Sequence, residues 1–122
     1  MISYISIGTN QLEQARAFYD ELFKELDCSR IHDGDHFSFY MGSGPGVMLT
    51  TPFNGEPATA GNGMMIALSA DSQEKVDAVY TRAIALGASC EGKPGERGNG
   101  ASYAAYFRDL DGNKFAVIKL AA

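Results

Sequence analysis

The side chains of this sequence best able to bind a metal or move a proton sit in few places. His32 and His36 flank Asp33-Gly34-Asp35, close enough across a hairpin to be neighbours, which suits an acid–base imidazole or a minor metal site. Turn tips face water, so a solvated acidic hairpin explains the same residues. Asp109 and Asp111 look like a fragment of a calcium loop, but the further ligands and the terminal Glu are missing. A tight turn uses Asp and Asn for its own backbone hydrogen bonds. Ser, His and Asp all occur without a GxSxG elbow, so nucleophilic hydrolysis has no support, and Gly42-Ser43-Gly44 is a turn. The glycine-rich segment GKPGERGNG, Gly92 to Gly100, precedes a strand and lacks the GxxxxGK[ST] spacing of a phosphate cradle. It reads as a mobile rim that brings Glu96 or Arg97 over a cleft, or as a solvated connection. Arg97 is a candidate clamp for an anionic group, and Tyr103, beside the same loop, is a candidate ligand contact.

These residues belong to a chain of 122 residues, long enough for a sizeable core without a metal or disulfide staple. With 45% apolar and 20% charged residues the composition is that of a globular protein. No long apolar run and no basic region followed by an apolar stretch occurs, so neither a membrane nor the secretory path is expected. A formal charge of −5 and scattered Lys and Arg argue against nucleic acid. Cys28 and Cys90 follow helices at matching places, as separate apolar fillers would, which points to a reducing cytoplasm.

The elements that must position these groups occur twice. Tyr4, Ile5, Ile7, Glu13 and Tyr19 match Met65, Ile66, Leu68, Glu74 and Tyr80, each 61 positions on (65 minus 4). In each copy a strand leads to a helix start, with Asn10 and Glu13 capping the first helix and Asp71 and Glu74 the second. The first helix is apolar at Leu12, Ala15, Phe18, Tyr19, Leu22, Phe23 and Leu26, with Glu13, Arg16, Asp20 and Lys24 on the other face. The second is apolar at Val76, Val79, Tyr80, Ala83 and Ile84 and ends at Gly87. Further strands are expected near 28–31, 36–41 and 47–51, then near 89–91, 102–108 and 114–120, with 64–69 opening the second copy. The fold class is therefore α+β, with tandem βαβββ modules at 1–52 and 64–122 and a Pro/Gly/Asn-rich linker at 53–63.

These tandem modules, the helix LEQARAFYDELF, the strand GNGMMIALSA and the segment YFRDLDGNKFAVI resemble the vicinal oxygen chelate superfamily of glyoxalase I, extradiol dioxygenases and bleomycin-resistance proteins. The resemblance covers essentially the whole chain. It implies a curled mixed sheet from each module, a cleft formed by the two, and a homodimer. In metalloenzymes of the family His, Glu and Gln ligands come from the first and last strand of each module. Mapped here, those positions are Tyr4 and Met65 on the first strands and Leu49 and Ala116 on the last. A methyl or isobutyl group has no lone pair, a phenol must lose a proton with a pKa near 10, and a thioether is soft, so none suits zinc or iron.

The expectation is thus no metal and no cofactor, with Tyr4, Leu49, Met65 and Ala116 lining a cleft for an unknown small molecule, or Tyr4 and Met65 simply filling it. Strand alternation would send Ile5, Ile7, Ile66 and Leu68 to the helices. A metal-dependent lyase, isomerase or dioxygenase of the glyoxalase type is the alternative, and a degenerate module kept for dimerisation is a third.

Overall fold

The computed structural model describes residues 1–121. Two units divide the chain, Met1–Ala60 and Gly61–Ala122, within the expected linker. In the first, β1 (Tyr4–Gly8), α1 (Leu12–Leu22), a 3-10 turn (Phe23–Leu26), β2 (Ser29–Asp33), β3 (Phe37–Met41) and β4 (Gly46–Thr50) follow in order. The second has β5 (Ile66–Ser69), α2 (Gln73–Ala85), β6 (Ser89–Arg97), β7 (Ser102–Arg108) and β8 (Lys114–Leu120). Each makes a mixed four-stranded sheet, ordered β1-β4-β3-β2 in one and β5-β8-β7-β6 in the other. In both sheets the first strand runs parallel to the last and antiparallel pairs complete the rest. The sheets are open, and the α+β class and βαβββ order agree with the sequence.

Packing follows the alternation. In the first unit Ala15, Phe18, Tyr19 and Leu22 of α1 are buried together with Phe23, Ile7, Tyr40 and Leu49. Tyr19 lies 5.0 Å from Phe23 and 6.3 Å from Tyr40, ring centre to ring centre. In the second, Val76, Val79 and Ala83 of α2 are buried with Phe107, Phe115 and Val117, and the two Phe rings stack 5.6 Å apart. Each large side chain so buried is worth about 1.5–3 kcal/mol.

Four local expectations change. Gln11, not Asn10, occupies the N-cap of α1, and Thr9 Oγ1 accepts from Gln11 N at 3.0 Å. Ser72, not Asp71, caps α2, its Oγ accepting from Lys75 N at 3.0 Å, because the shorter hydroxyl one residue on reaches the third amide. The strand expected from Met64 begins at Ile66. The supposed rim from Gly92 is largely strand: β6 runs to Arg97, with register shifts around Gly92 and Gly95 that keep pairing with β7 despite the glycines. Only the turn beyond Arg97 stays irregular, with Gly98 and Asn99 at positive φ.

Arg16, expected on a solvated helix face, is instead 14% exposed and reaches the β2–β3 hairpin. Its Nε donates to Ser38 Oγ at 2.6 Å, and its Nη2 donates to Gly34 O and Phe37 O at 3.1 Å each. The Ser38 hydroxyl in turn donates to Asp33 Oδ1 at 2.7 Å. Beside it Asp20 accepts from Arg30 at 2.6 Å and from the Tyr40 hydroxyl at 2.8 Å. The Ser38 hydrogen bond, helped by Arg30 and Arg16, holds the Asp33 carboxyl below the usual carboxylate range, whereas burial and the bond to Asp20 push the Tyr40 phenol up. This network fixes the hairpin that carries His36 and Phe37.

Candidate functional site

Register decides which side chains share a sheet face. In the first unit Tyr4 pairs with Gly46, Ser6 with Met48, Ile7 with Leu49 and Gly8 with Thr50, while Met48 also faces Phe39. Tyr4, Ser6, Phe39, Met48 and Thr50 therefore occupy one face, and Ile5, Ile7, Val47, Leu49 and Tyr40 the face that α1 covers. Leu49 is 1% exposed. The assignment of Leu49 to Tyr4's face is thus corrected: it is a core residue beside Ile7.

The matching position on the open face is Met48. Ser6 and Ala67 are equivalent by the 61-residue offset; Ser6 pairs with Met48, and Ala67 pairs with Ala116. The counterpart of Ala116 is then 68 residues earlier (116 minus 48). Tyr40 pairs with Val47 across one hairpin, but Phe107 pairs with Phe115 across the other, which is one residue longer. That extra residue is what the transferred offset of 67 missed.

Tyr4 remains half exposed at 49%, its ring edge-on to Phe39 at 5.4 Å. A Cβ on Gly46 opposite it would stand 2.7 Å from the Phe39 ring, so any other residue there would push that ring aside. In the second unit Met65 precedes β5 and is 46% exposed, whereas Ala116 is 1% exposed next to Tyr106. Arg97 shares Tyr106's face, with its guanidinium carbon 5.5 Å from the ring centre and its Nη2 donating to Lys93 O at 2.6 Å. Tyr103 does not share it. Pairing with Glu96 and Lys119 places it on the α2 side, where its hydroxyl donates to Asp77 Oδ1 at 2.8 Å, and that bond raises its phenol pKa. It lines a separate small cavity of about 170 Å³ with Gln73 and Lys119.

Sequence reading missed a cavity on the open face. A cavity of about 980 Å³ lies wholly within the first unit. Ser6 and Met48 line it from the sheet, with Thr50 at the end of β4, and His36 and Phe37 line it from the hairpin. Pro52, Phe53, Glu56 and Pro57 bound it from the linker. The Thr50 hydroxyl donates to the backbone oxygens of Thr51 and His36, at 2.7 and 3.2 Å. Phe37, Met48, Pro52, Phe53 and Pro57 make the surface facing the space largely apolar, and Ser6, Thr9, Asn10, His36, Thr51 and Glu56 add polar groups to the lining. The His32-to-His36 spacing was the available signal, although it pointed to a hairpin tip and not to a cavity wall.

With this geometry in hand, comparison with known proteins is decisive for the family. The Glyoxalase family, described as Glyoxalase/Bleomycin resistance protein/Dioxygenase superfamily, matches residues 1–117. The chain belongs to this superfamily. A crystal structure of a glyoxalase/bleomycin resistance protein from Albidiferax ferrireducens is 38% identical, with a TM-score of 0.92 and 99% of both chains covered. A lactoylglutathione lyase from Agrobacterium tumefaciens is 25% identical, with a TM-score of 0.73 over 98% of this chain and 92% of that one. A fosfomycin resistance protein from Listeria monocytogenes shares the fold at 21% identity and a TM-score of 0.76, covering 99% of this chain and 93% of that one. A search of curated proteins finds no match.

Membership implies a metal in the enzymes of this superfamily, and the residues here do not fit one. Corrected by register, the four strand positions hold Tyr4, Met48, Met65 and Ala116. A phenol, two thioethers and a methyl group provide no imidazole or carboxylate for a hard or borderline divalent ion. Among the described residues no group of three or more His, Cys, Asp or Glu gathers elsewhere.

Proposed function

We propose that this superfamily member binds a small, largely apolar molecule in the cavity of its first module, without a metal at the positions its metalloenzyme relatives use. The observation that carries the reading is the cavity of about 980 Å³. It falls at the upper end of the range of small-molecule sites, roughly 300–1,000 Å³, and has the usual apolar lining with a few polar groups. Met48 sits on its floor where an electron donor for a cation would stand, and its flexible thioether adapts to an irregular ligand surface. Ser6, His36 and Glu56 supply the polar contacts that orient the molecule. A metal-dependent lyase or dioxygenase is not favoured by this set of donors.

The chain also presents apolar surface to solvent, at Ile2, Tyr4 and Met41 in the first unit and at Met64 and Met65 in the second. A homodimer that covers part of it accords with this.

The test pairs two measurements on chelator-free protein. Elemental analysis should find no stoichiometric metal, and the uncharged dye N-phenyl-1-naphthylamine should bind saturably at one site that Met48→Lys abolishes. Stoichiometric zinc, nickel, iron or manganese, or dye binding unaffected by Met48→Lys, would overturn the proposal.

A further inference from the structure

Resting on the cavity reading above, we infer that residues 52–57 form a strap whose Phe53 stacks on an aromatic group of the bound molecule, with Asn10 as the residue that positions the strap. Phe53 lines the cavity yet is 107% exposed, more so than a phenylalanine in an extended chain. Its apolar surface gains nothing in the free protein and would gain on contact with an apolar ligand.

Both ends of the strap are fixed. On one side Thr51 N donates to His36 O at 2.9 Å. On the other, Asn10 and Ala58 form a reciprocal clasp: Ala58 N donates to Asn10 Oδ1 at 2.7 Å, and Asn10 Nδ2 donates to Ala58 O at 2.9 Å. Ala58 also presses on the end of β1, since a Cβ on Gly8 would lie 3.0 Å from the Ala58 Cβ. Between the anchors Gly55 N donates to Pro52 O at 3.1 Å, Gly55 takes a φ of +77°, and Glu56 N donates to Asn54 Oδ1 at 3.0 Å. This turn holds Phe53 at the mouth without burying it. An amide that spans 48 residues to bind one backbone unit twice is a positioning contact, because it sets where the strap leaves the sheet.

The opposing surfaces name the ligand group. Phe37 and Met48 line the same space as Phe53, so a planar ring entering it meets aromatic and thioether partners. Such contacts favour an aromatic group over a saturated one of equal size by about 2- to 10-fold in affinity.

The experiment titrates N-phenyl-1-naphthylamine into wild type, Phe53→Ala, Phe53→Trp, Asn10→Ala, Asn10→Asp and Met48→Lys, with a melting curve for each. Phe53→Ala should weaken binding about 10-fold, the loss expected for truncating an aromatic side chain that stacks on the ligand. Asn10→Ala should weaken it about 3-fold or more. Asn10→Asp, which keeps the acceptor for Ala58 N, should recover part of that affinity. Phe53→Trp introduces an indole into a chain that has none, and its emission should fall by energy transfer as the dye binds. Bound dye should be displaced better by 2-naphthol than by its saturated counterpart. If Phe53→Ala and Asn10→Ala bind as wild type while Met48→Lys does not, the strap is refuted and the cavity stands. If wild type shows no saturable binding, both fail. Should Phe53→Ala change only the oligomeric state, Phe53 serves a subunit contact and the inference is overturned.

Discussion

Arg16→Met is the most informative perturbation of the scaffold that holds the cavity. It keeps the apolar stem but removes the donors to Ser38 Oγ, Gly34 O and Phe37 O. The pair with Glu13 adds little, because that carboxylate is 81% exposed. Water can replace the donor at the two hairpin carbonyls, but Ser38 is fully buried and keeps only its bond to Asp33, its oxygen losing the guanidinium donor. Charge-assisted bonds are worth about 1.5–3 kcal/mol each, so a net loss of about 3 kcal/mol is expected after rehydration of the carbonyls. An unfolding entropy of about 2.1 cal/mol/K per residue gives about 0.26 kcal/mol/K for 122 residues, so the melting temperature should fall by about 12 °C. Differential scanning calorimetry measures both quantities. Arg16→Lys should be intermediate, since one ammonium cannot match three acceptors set for a planar fork. A fall below about 4 °C for Arg16→Met would refute the role of this guanidinium as the hairpin's lock.

Further expectations separate core from surface. Leu49→Ala should cost about 2–5 kcal/mol in urea denaturation, as a buried leucine does, while Tyr4→Ala should cost about 1 kcal/mol or less because its ring is half exposed; equal costs would overturn the assigned faces. Asp33 has a lowered pKa in the folded protein, so its stabilising effect is present above the unfolded value near 4 and is lost as pH falls through the lower folded value. Asp33→Asn should therefore lose stability at pH 7 but show a shallower decline on acidification than wild type, and parallel acid limbs would count against this. Tyr103→Phe removes one exposed hydrogen bond to Asp77, so calorimetry should register only a small change and dye affinity should not move.

Much of the architecture was legible because it was written twice. The offset relating Tyr4 to Met65 and Tyr19 to Tyr80 fixed the module order, and alternation correctly sent Ile7 to the helix side. β7 and β8 begin and end where the apolar pattern does, since a short Asp/Gly turn bounds them sharply. The last strand of the first module was harder. One residue of difference in hairpin length separates Leu49 from Met48, and a one-residue slip exchanges core and open face. Tyr103 was misplaced for a related reason: nearness to a glycine-rich loop says nothing of strand parity. The roles of Arg16 and Asn10 depend on partners 18 to 22 and 48 residues away, so local pattern gave Arg16 to solvent and Asn10 to a cap. The cavity was hidden likewise, because its walls come from β1, β4, the β2–β3 hairpin and the linker, which no single window of sequence contains.

Five methionines provide the most direct test of ligand placement. With methyl-labelled methionine, addition of N-phenyl-1-naphthylamine should shift the Met48 signal progressively to saturation and leave Met64 and Met65 in place. A saturable shift of Met64 or Met65 with Met48 unmoved would contradict binding in the first-module cavity.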